Sequence, residues 1–191
     1  FSHWALARDL DVVLLDAGDP LGGGRLLPAG RLREPARALQ RAGVVVVSRL
    51  AAGADPAPWL ERAARLAPGA LLAVGRHRVT GLRALDGGSV PAGAAFHLLT
   101  ATGNPRAVEA SAREAGLRLD GVSARRDHHW FGRAEAAAAA ARAGEGWVLL
   151  TAKDAVRWPE GAPRRRVAVL EVDWEWVRGG EAVERAVLGE A

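Results

Sequence analysis

Residues 11–17 read DVVLLDA and residues 44–49 read VVVVSR; between them lies a Gly- and Pro-rich stretch, Gly18–Gly30. Both apolar runs are short and lack polar alternation, the pattern expected of strands buried on both faces of a parallel sheet. Arg33–Ala42, with Pro35 in its first turn, predicts a helix. Asp55–Leu66 predicts a second one: Asp55 stands where an N-cap belongs, and Trp59, Ala63 and Leu66 recur at helical spacing. Ala70–Val74 predicts the third strand. The first 75 residues therefore read β-loop-α-β-α-β, the order of a parallel sheet with crossover helices.

Residues 76–95 break this rhythm. They are Gly-rich, alternate weakly around Val79–Leu85, and contain Asp86-Gly87-Gly88, which is turn chemistry. They predict a hairpin-like β connector between two lobes. The rhythm then restarts: strand Ala95–Ala101, a Gly103-Asn104-Pro105 turn, helix Arg106–Ala115, strand Leu117–Val122, and an Ala-rich helix Glu135–Ala143 ending at Gly144. Strand Trp147–Thr151, the segment Lys153–Trp158, strand Val167–Val172 and helix Glu181–Leu188 complete the chain. The predicted fold is α/β, with lobes over residues 1–75 and 96–191 joined by a β linker over 76–95.

Composition narrows the function. The chain has 191 residues, 49% of them hydrophobic, which suffices for a sizeable core. No Cys is present, so disulfide scaffolds, thiol catalysis and Cys-based zinc sites are excluded. No apolar run approaches the ~18 residues of a membrane span. Lys153 is the only lysine among 26 basic residues; Tyr, Ile and Met are absent. This composition reflects GC-rich coding. The pI near 11.0 follows from arginines that do not titrate, while the net charge is only +4. The arginines are interleaved with 22 acidic residues, which argues against a nucleic-acid partner. A chain that begins at Phe1 and contains no Met is expected to be part of a longer protein.

Four constellations carry possible chemistry. The loop Gly18–Pro35 (GDPLGGGRLLPAGRLREP) follows a strand and holds Arg25, Arg31, Arg33 and Glu34. Flexible backbone with several guanidinium groups suits a phosphate or a phosphorylated sugar; a solvated loop explains it equally. The pattern GxxxxGK[ST] does not occur. In Arg125–Phe131 (RRDHHWF) Asp127 stands beside His128 and His129, either an acid–base site or a locally packed loop. A metal reading lacks ligands, because His3, His77 and His97 fall on other segments. In Leu149–Trp158 (LLTAKDAVRW) Lys153 and Asp154 follow a strand end, and Thr151 can cap the turn. Gly103-Asn104 opens a helix, as an anion site or as an ordinary turn.

Taken in order, these stretches resemble tetraacyldisaccharide 4'-kinases, the lipid A pathway kinases. The matching segments are Phe1–Ala17 (FSHWALARDLDVVLLDA), Gly22–Pro35 (GGGRLLPAGRLREP), Gly103–Pro105, Asp127-His128-His129 and Leu149–Val156 (LLTAKDAV). The resemblance implies a P-loop kinase of two α/β lobes, residues 1–75 being the carboxyl-terminal part of the P-loop lobe. It implies transfer of the ATP γ-phosphate to the 4'-hydroxyl of a tetraacyl glucosamine disaccharide 1-phosphate, with Mg2+, peripherally at the cytoplasmic face of the bacterial inner membrane. His128 would be the catalytic histidine and Asp127 the neighbour that fixes its loop. Arg33 and Glu34 would face the substrate, with Arg25 and Arg31 at its phosphate. Lys153, Asp154, Gly103 and Asn104 would lie on the nucleotide side of the cleft, and His3 would back the magnesium site.

The chain also departs from the family pattern. The Walker A loop and the magnesium carboxylates are expected upstream of Phe1, so no metal ligand is expected in this chain. Ser2 stands in place of Gln, and Ala152 in place of Glu. The polypeptide alone is expected to be inactive. A non-catalytic relative that binds an anionic sugar or a partner protein is the alternative.

Overall fold

The computed structural model describes residues 5–189. They form two compact units. The first takes in the described residues up to His77 together with those from Trp174 onward, and the second is Arg78–Asp173.

In the first unit, β1 (Val12–Asp16), β2 (Val44–Ser48) and the start of β3 (Leu71–Ala84) are parallel, with Val12 opposite Val44 and Val44 opposite Leu71. All five β2 residues are buried, because the strand has neighbours on both edges and cover on both faces. Val45 and Val47 pack with Leu15, Leu39, Ala63 and Val74 beneath α1 (Ala57–Leu66), whose Trp59 and Leu60 close that side. Val44 and Val46 face the other way, toward Ala73 and Val183. Val183 belongs to the last helix, Gly180–Leu188.

Three expectations change here. β1 is not buried on both faces. Among the described residues it has a hydrogen-bonded neighbour on one edge only, and the cluster under Val183 does not extend to it, so Val12 is 39% and Leu14 60% exposed. The helix expected over Arg33–Ala42 is a 3-10 segment, Ala36–Arg41, tightened by Ala38 N–H to the Pro35 carbonyl (2.8 Å) and Ala42 N–H to the Leu39 carbonyl (3.0 Å). Pro35 before it and Ala42 after it are both extended, so only two such turns fit. Residues 174–189, read from sequence with the second lobe, pack in the first unit, because Trp174, Trp176 and Val183 supply the cover that β2 needs.

The second unit holds β4 (Ala95–Thr100), α2 (Pro105–Glu114), β5 (Arg118–Ala124), α3 (Arg133–Ala143), β6 (Trp147–Thr151), the single turn α4 (Ala152–Ala155) and the start of β7 (Val167–Arg178). The strand order is β7-β6-β4-β5, and all three pairings are parallel. Leu98 packs with Ala112, Leu149 and Leu170 on one face; Leu99 packs with Phe131, Ala139 and Leu150 on the other. The alanine run makes α3 a slim helix that sits close to the sheet.

The β linker takes a different form from a local hairpin. Residues 76–95 supply one strand, the second half of β3, whose hydrogen-bonded neighbour is β7. Asp86-Gly87-Gly88 and Pro91 end that strand, so its partner comes from far along the chain. The helix Gly180–Leu188, α5, closes the element order.

Candidate functional site

The strand order determines where a site can form in the second unit. β4 leads through α2 to β5 on one side, whereas β6 leads to β7 on the other. Where neighbouring strands depart in opposite directions, a crevice opens at their carboxyl ends. Thr100–Asn104, Arg125–His129 and Thr151–Asp154 all follow the carboxyl ends of strands, at this one edge.

Asp154 fastens this edge together. It is fully buried; Oδ1 accepts the Ala101 N–H (3.0 Å) and Oδ2 accepts the Thr151 hydroxyl (2.8 Å). Thr151 Oγ1 in turn accepts the Asp154 N–H (3.1 Å), capping α4. The carboxylate therefore ties the end of β6 to the end of β4, and both its oxygens are occupied. Lys153 is exposed, with no ion pair among the described residues. Asn104 caps α2 by accepting the Ala107 N–H (3.1 Å).

The Asp127–His128 pair stands on the same edge. Asp127 Oδ1 lies 3.0 Å from His128 Nδ1, and the His128 side chain is 66% exposed. A carboxylate at Nδ1 places the ring proton there and leaves Nε2 as a free acceptor. Gly103 makes the fit: a Cβ at this position would lie 3.0 Å from Asp127 Oδ2. His128 has φ of +153°, a conformation that side chains rarely adopt. Such a residue costs roughly 1–3 kcal/mol and persists only where its surroundings impose it.

Those surroundings centre on Glu135, which sequence reasoning missed. Its Oε1 accepts Arg125 Nε (2.8 Å); its Oε2 contacts His129 Nε2 (2.6 Å) and accepts the Gly132 N–H (3.1 Å). His129 also meets Phe131 edge-on, with centroids 5.7 Å apart, and Phe131 is core. Of the two adjacent histidines, His129 is thus anchored and His128 is presented. The available signal was Glu135 three residues after Gly132, the spacing of a helix capping box. Arg125 first, then His129, lowers the Glu135 carboxyl to about 2. A depressed carboxyl stabilises the fold above its ordinary value of 4.5 and loses that contribution as pH falls toward 2. We therefore expect Glu135→Gln to flatten the loss of stability between pH 4.5 and 2, measured by thermal melts across that window. An unchanged acid profile would contradict the anchoring role.

Other histidines do not join the site. His97 is buried beside Ser123 (2.9 Å); burial first and Arg142 second push its pKa down, as for a neutral core imidazole. His77 meets Trp174 edge-on. Among the described residues no three His, Asp or Glu side chains gather as a metal site. His3 lies outside the described residues.

The Arg-rich loop belongs to the first unit, after β1. Arg49 Nη1 donates to Asp16 (2.8 Å), and Arg31 pairs with Asp19, which also accepts the Gly23 N–H (3.1 Å). Glu34 pairs with Arg41. Arg31 and Glu34 are therefore engaged within the loop, whereas Arg25 and Arg33 are exposed without an ion pair among the described residues.

The chain matches, over residues 1–190, the family model described as Tetraacyldisaccharide-1-P 4'-kinase. It is 40% identical over 205 residues to the tetraacyldisaccharide 4'-kinase of Anaeromyxobacter sp. (strain K), covering 98% of this chain and 53% of that protein. It is 36% identical over 166 residues to the enzyme of that name from Geobacter metallireducens, covering 82% and 46%. The chain thus spans about half the length of the curated relatives it matches. Its fold resembles the crystal structure of "apo" LpxK from Aquifex aeolicus in complex with ATP, with a TM-score of 0.62 at 19% identity over 99% of this chain and 55% of that one.

Proposed function

This chain belongs to the tetraacyldisaccharide-1-P 4'-kinase family, and on that premise we propose that it forms the acid–base and substrate-side portion of a lipid A pathway kinase. The reaction is transfer of the ATP γ-phosphate to the 4'-hydroxyl of a tetraacyl glucosamine disaccharide 1-phosphate. The observation that carries this reading is the Asp127–His128 pair: an exposed imidazole with a carboxylate 3.0 Å from Nδ1 and, among the described residues, no hydrogen-bond partner at Nε2. In the proposal, Nε2 takes the proton of the 4'-hydroxyl while Asp127 holds the ring and steadies the imidazolium. The test is phosphoryl transfer by the full-length protein with His128 intact and replaced.

ATP and Mg2+ are the co-reactants this reading implies, and the residues of this chain do not fit them. GxxxxGK[ST] is absent. The carboxylates beside the Gly-rich loop, Asp16 and Asp19, are engaged by Arg49 and Arg31. We accordingly propose that phosphate and magnesium are held outside this chain, which alone is inactive. Lys153, Gly103 and Asn104 are proposed to face the nucleotide side. The family's substrate is a lipid, so the site of action is proposed to be the cytoplasmic face of the inner membrane, with peripheral attachment. No helix among the described residues is long and apolar enough to cross a membrane.

Arg33 and Arg25 are proposed to hold the substrate's phosphate, Arg31 and Glu34 shaping the loop around them. A charge-assisted hydrogen bond contributes roughly 1.5–3 kcal/mol. Arg33→Ala is therefore expected to raise KM for the lipid about tenfold or more, with kcat little changed. Steady-state kinetics check this; unaltered KM and kcat would remove Arg33 from the site.

A further inference from the structure

Trp130 stands apart from the other tryptophans. Among the described residues, Trp59, Trp147, Trp158, Trp174 and Trp176 are partly buried, and each packs against a core cluster. Trp130 joins none of these clusters and is 71% exposed. Trp158 and Trp176 donate their indole N–H groups, to the Pro163 carbonyl (3.3 Å) and to Glu184 (2.7 Å). The Trp130 N–H has no acceptor among the described residues. The fold thus leaves one large aromatic face in water, where packing it would be favourable.

The segment that presents this face is fixed on both sides. His129 and Phe131 both turn toward α3: His129 contacts Glu135 (2.6 Å), and Phe131 packs with Ala139. Trp130, between them, is turned out to solvent. An indole held by anchored neighbours has few torsions left to fix, so a ligand orders it at little cost. Trp130 also follows the exposed His128 by two residues, which span at most about 7 Å. One bound sugar ring can therefore touch both the imidazole and the indole.

The acceptor in the proposed reaction is a glucosamine ring whose 4'-hydroxyl meets His128 Nε2. In the gluco configuration the ring substituents are equatorial, and the axial C–H bonds form apolar faces that suit the electron-rich face of an indole. A base alone fixes one oxygen and leaves the ring free to turn about it; a flat platform removes that freedom. We propose that Trp130 is the surface on which the acceptor glucosamine ring stacks, holding its 4'-hydroxyl toward His128. The proposal rests on the kinase reading for the identity of the sugar, and its test separates the two.

In the full-length protein, Trp130→Ala is expected to raise KM for tetraacyldisaccharide 1-phosphate about tenfold, the scale of losing one aromatic stacking contact. KM for ATP and the melting temperature are expected to stay unchanged. Trp130→Phe, which keeps an aromatic face, is expected to recover most of the loss; Trp130→Leu, which keeps only apolar area, is not. Binding is also read without turnover. The unacylated glucosamine disaccharide 1-phosphate is expected to shift the tryptophan emission of the full-length protein and of its His128→Ala variant, but not that of Trp130→Phe. This shift survives if His128 is not the base, so the stacking and the base can fail separately. An unaltered lipid KM in Trp130→Ala, or no Trp130-dependent shift with the unacylated disaccharide, would overturn the proposal. So would a raised KM for ATP in place of the lipid, which would put the indole at the adenine, or full recovery by leucine, which would put it at the acyl chains.

Discussion

His128→Ala in the full-length protein is expected to lower kcat for phosphoryl transfer to the tetraacyldisaccharide about 10²-fold or more, the scale of general acid–base catalysis. The expectation rests on how little the fold asks of this side chain. His128 is largely exposed and, among the described residues, its ring is paired only with Asp127, so alanine removes a functional group and almost no packing. KM and the melting temperature should therefore stay near their original values. His129→Ala separates this from a loop effect. It removes the contact with Glu135 and the edge-on contact with Phe131, so it should lower stability as well as rate. If His128→Ala turned over normally, the base would have to be another group. The Asp127–His128 geometry would then support an anion-binding role, as in a non-catalytic relative.

Asp154→Ala carries the largest expected loss of stability. The carboxylate is fully buried, and its removal leaves the Ala101 N–H without its partner in a wholly buried position and frees the Thr151 hydroxyl. Hydrogen bonds to a charged group contribute roughly 1.5–3 kcal/mol each, and a stranded buried donor adds a desolvation cost. A loss of about 3–4 kcal/mol follows, which for a unit of this size lowers Tm by more than about 10 °C. Circular-dichroism melts of the wild-type and variant chains measure it. Asp154→Asn, which retains one acceptor, should fall between them. A shift below about 2 °C would mean that the β4 and β6 ends are held by something else.

The Thr-x-x-Asp spacing at Thr151 and Asp154 was visible in the sequence, but its partner was not. Ala101 lies 53 residues away, and only the parallel pairing of β4 with β6 brings its N–H to the carboxylate. Short apolar runs were the most legible feature: the strands at Val44–Ser48, Ala95–Thr100 and Trp147–Thr151 begin and end within about a residue of where composition puts them. Long-range cover was the least legible. Leu14 looks as buried as Leu15 until the strand order places β1 at an edge, and Trp174 and Trp176 give no local sign that they pack in the first unit. The prominence of the Asp127-His128-His129 triplet could be read directly. Which histidine is anchored and which is free depended on Glu135, one turn into the next helix.

In the proposed reading, this chain carries the base and the substrate side of a kinase whose phosphate cradle lies outside it. The most direct measurement offers ATP labelled at the γ-phosphate, with Mg2+ and tetraacyldisaccharide 1-phosphate, to the chain alone and to the full-length protein. Label is predicted on the 4'-oxygen of the disaccharide with the full-length protein only. Turnover by the chain alone, or no labelled disaccharide from the full-length protein, would contradict this division of the site.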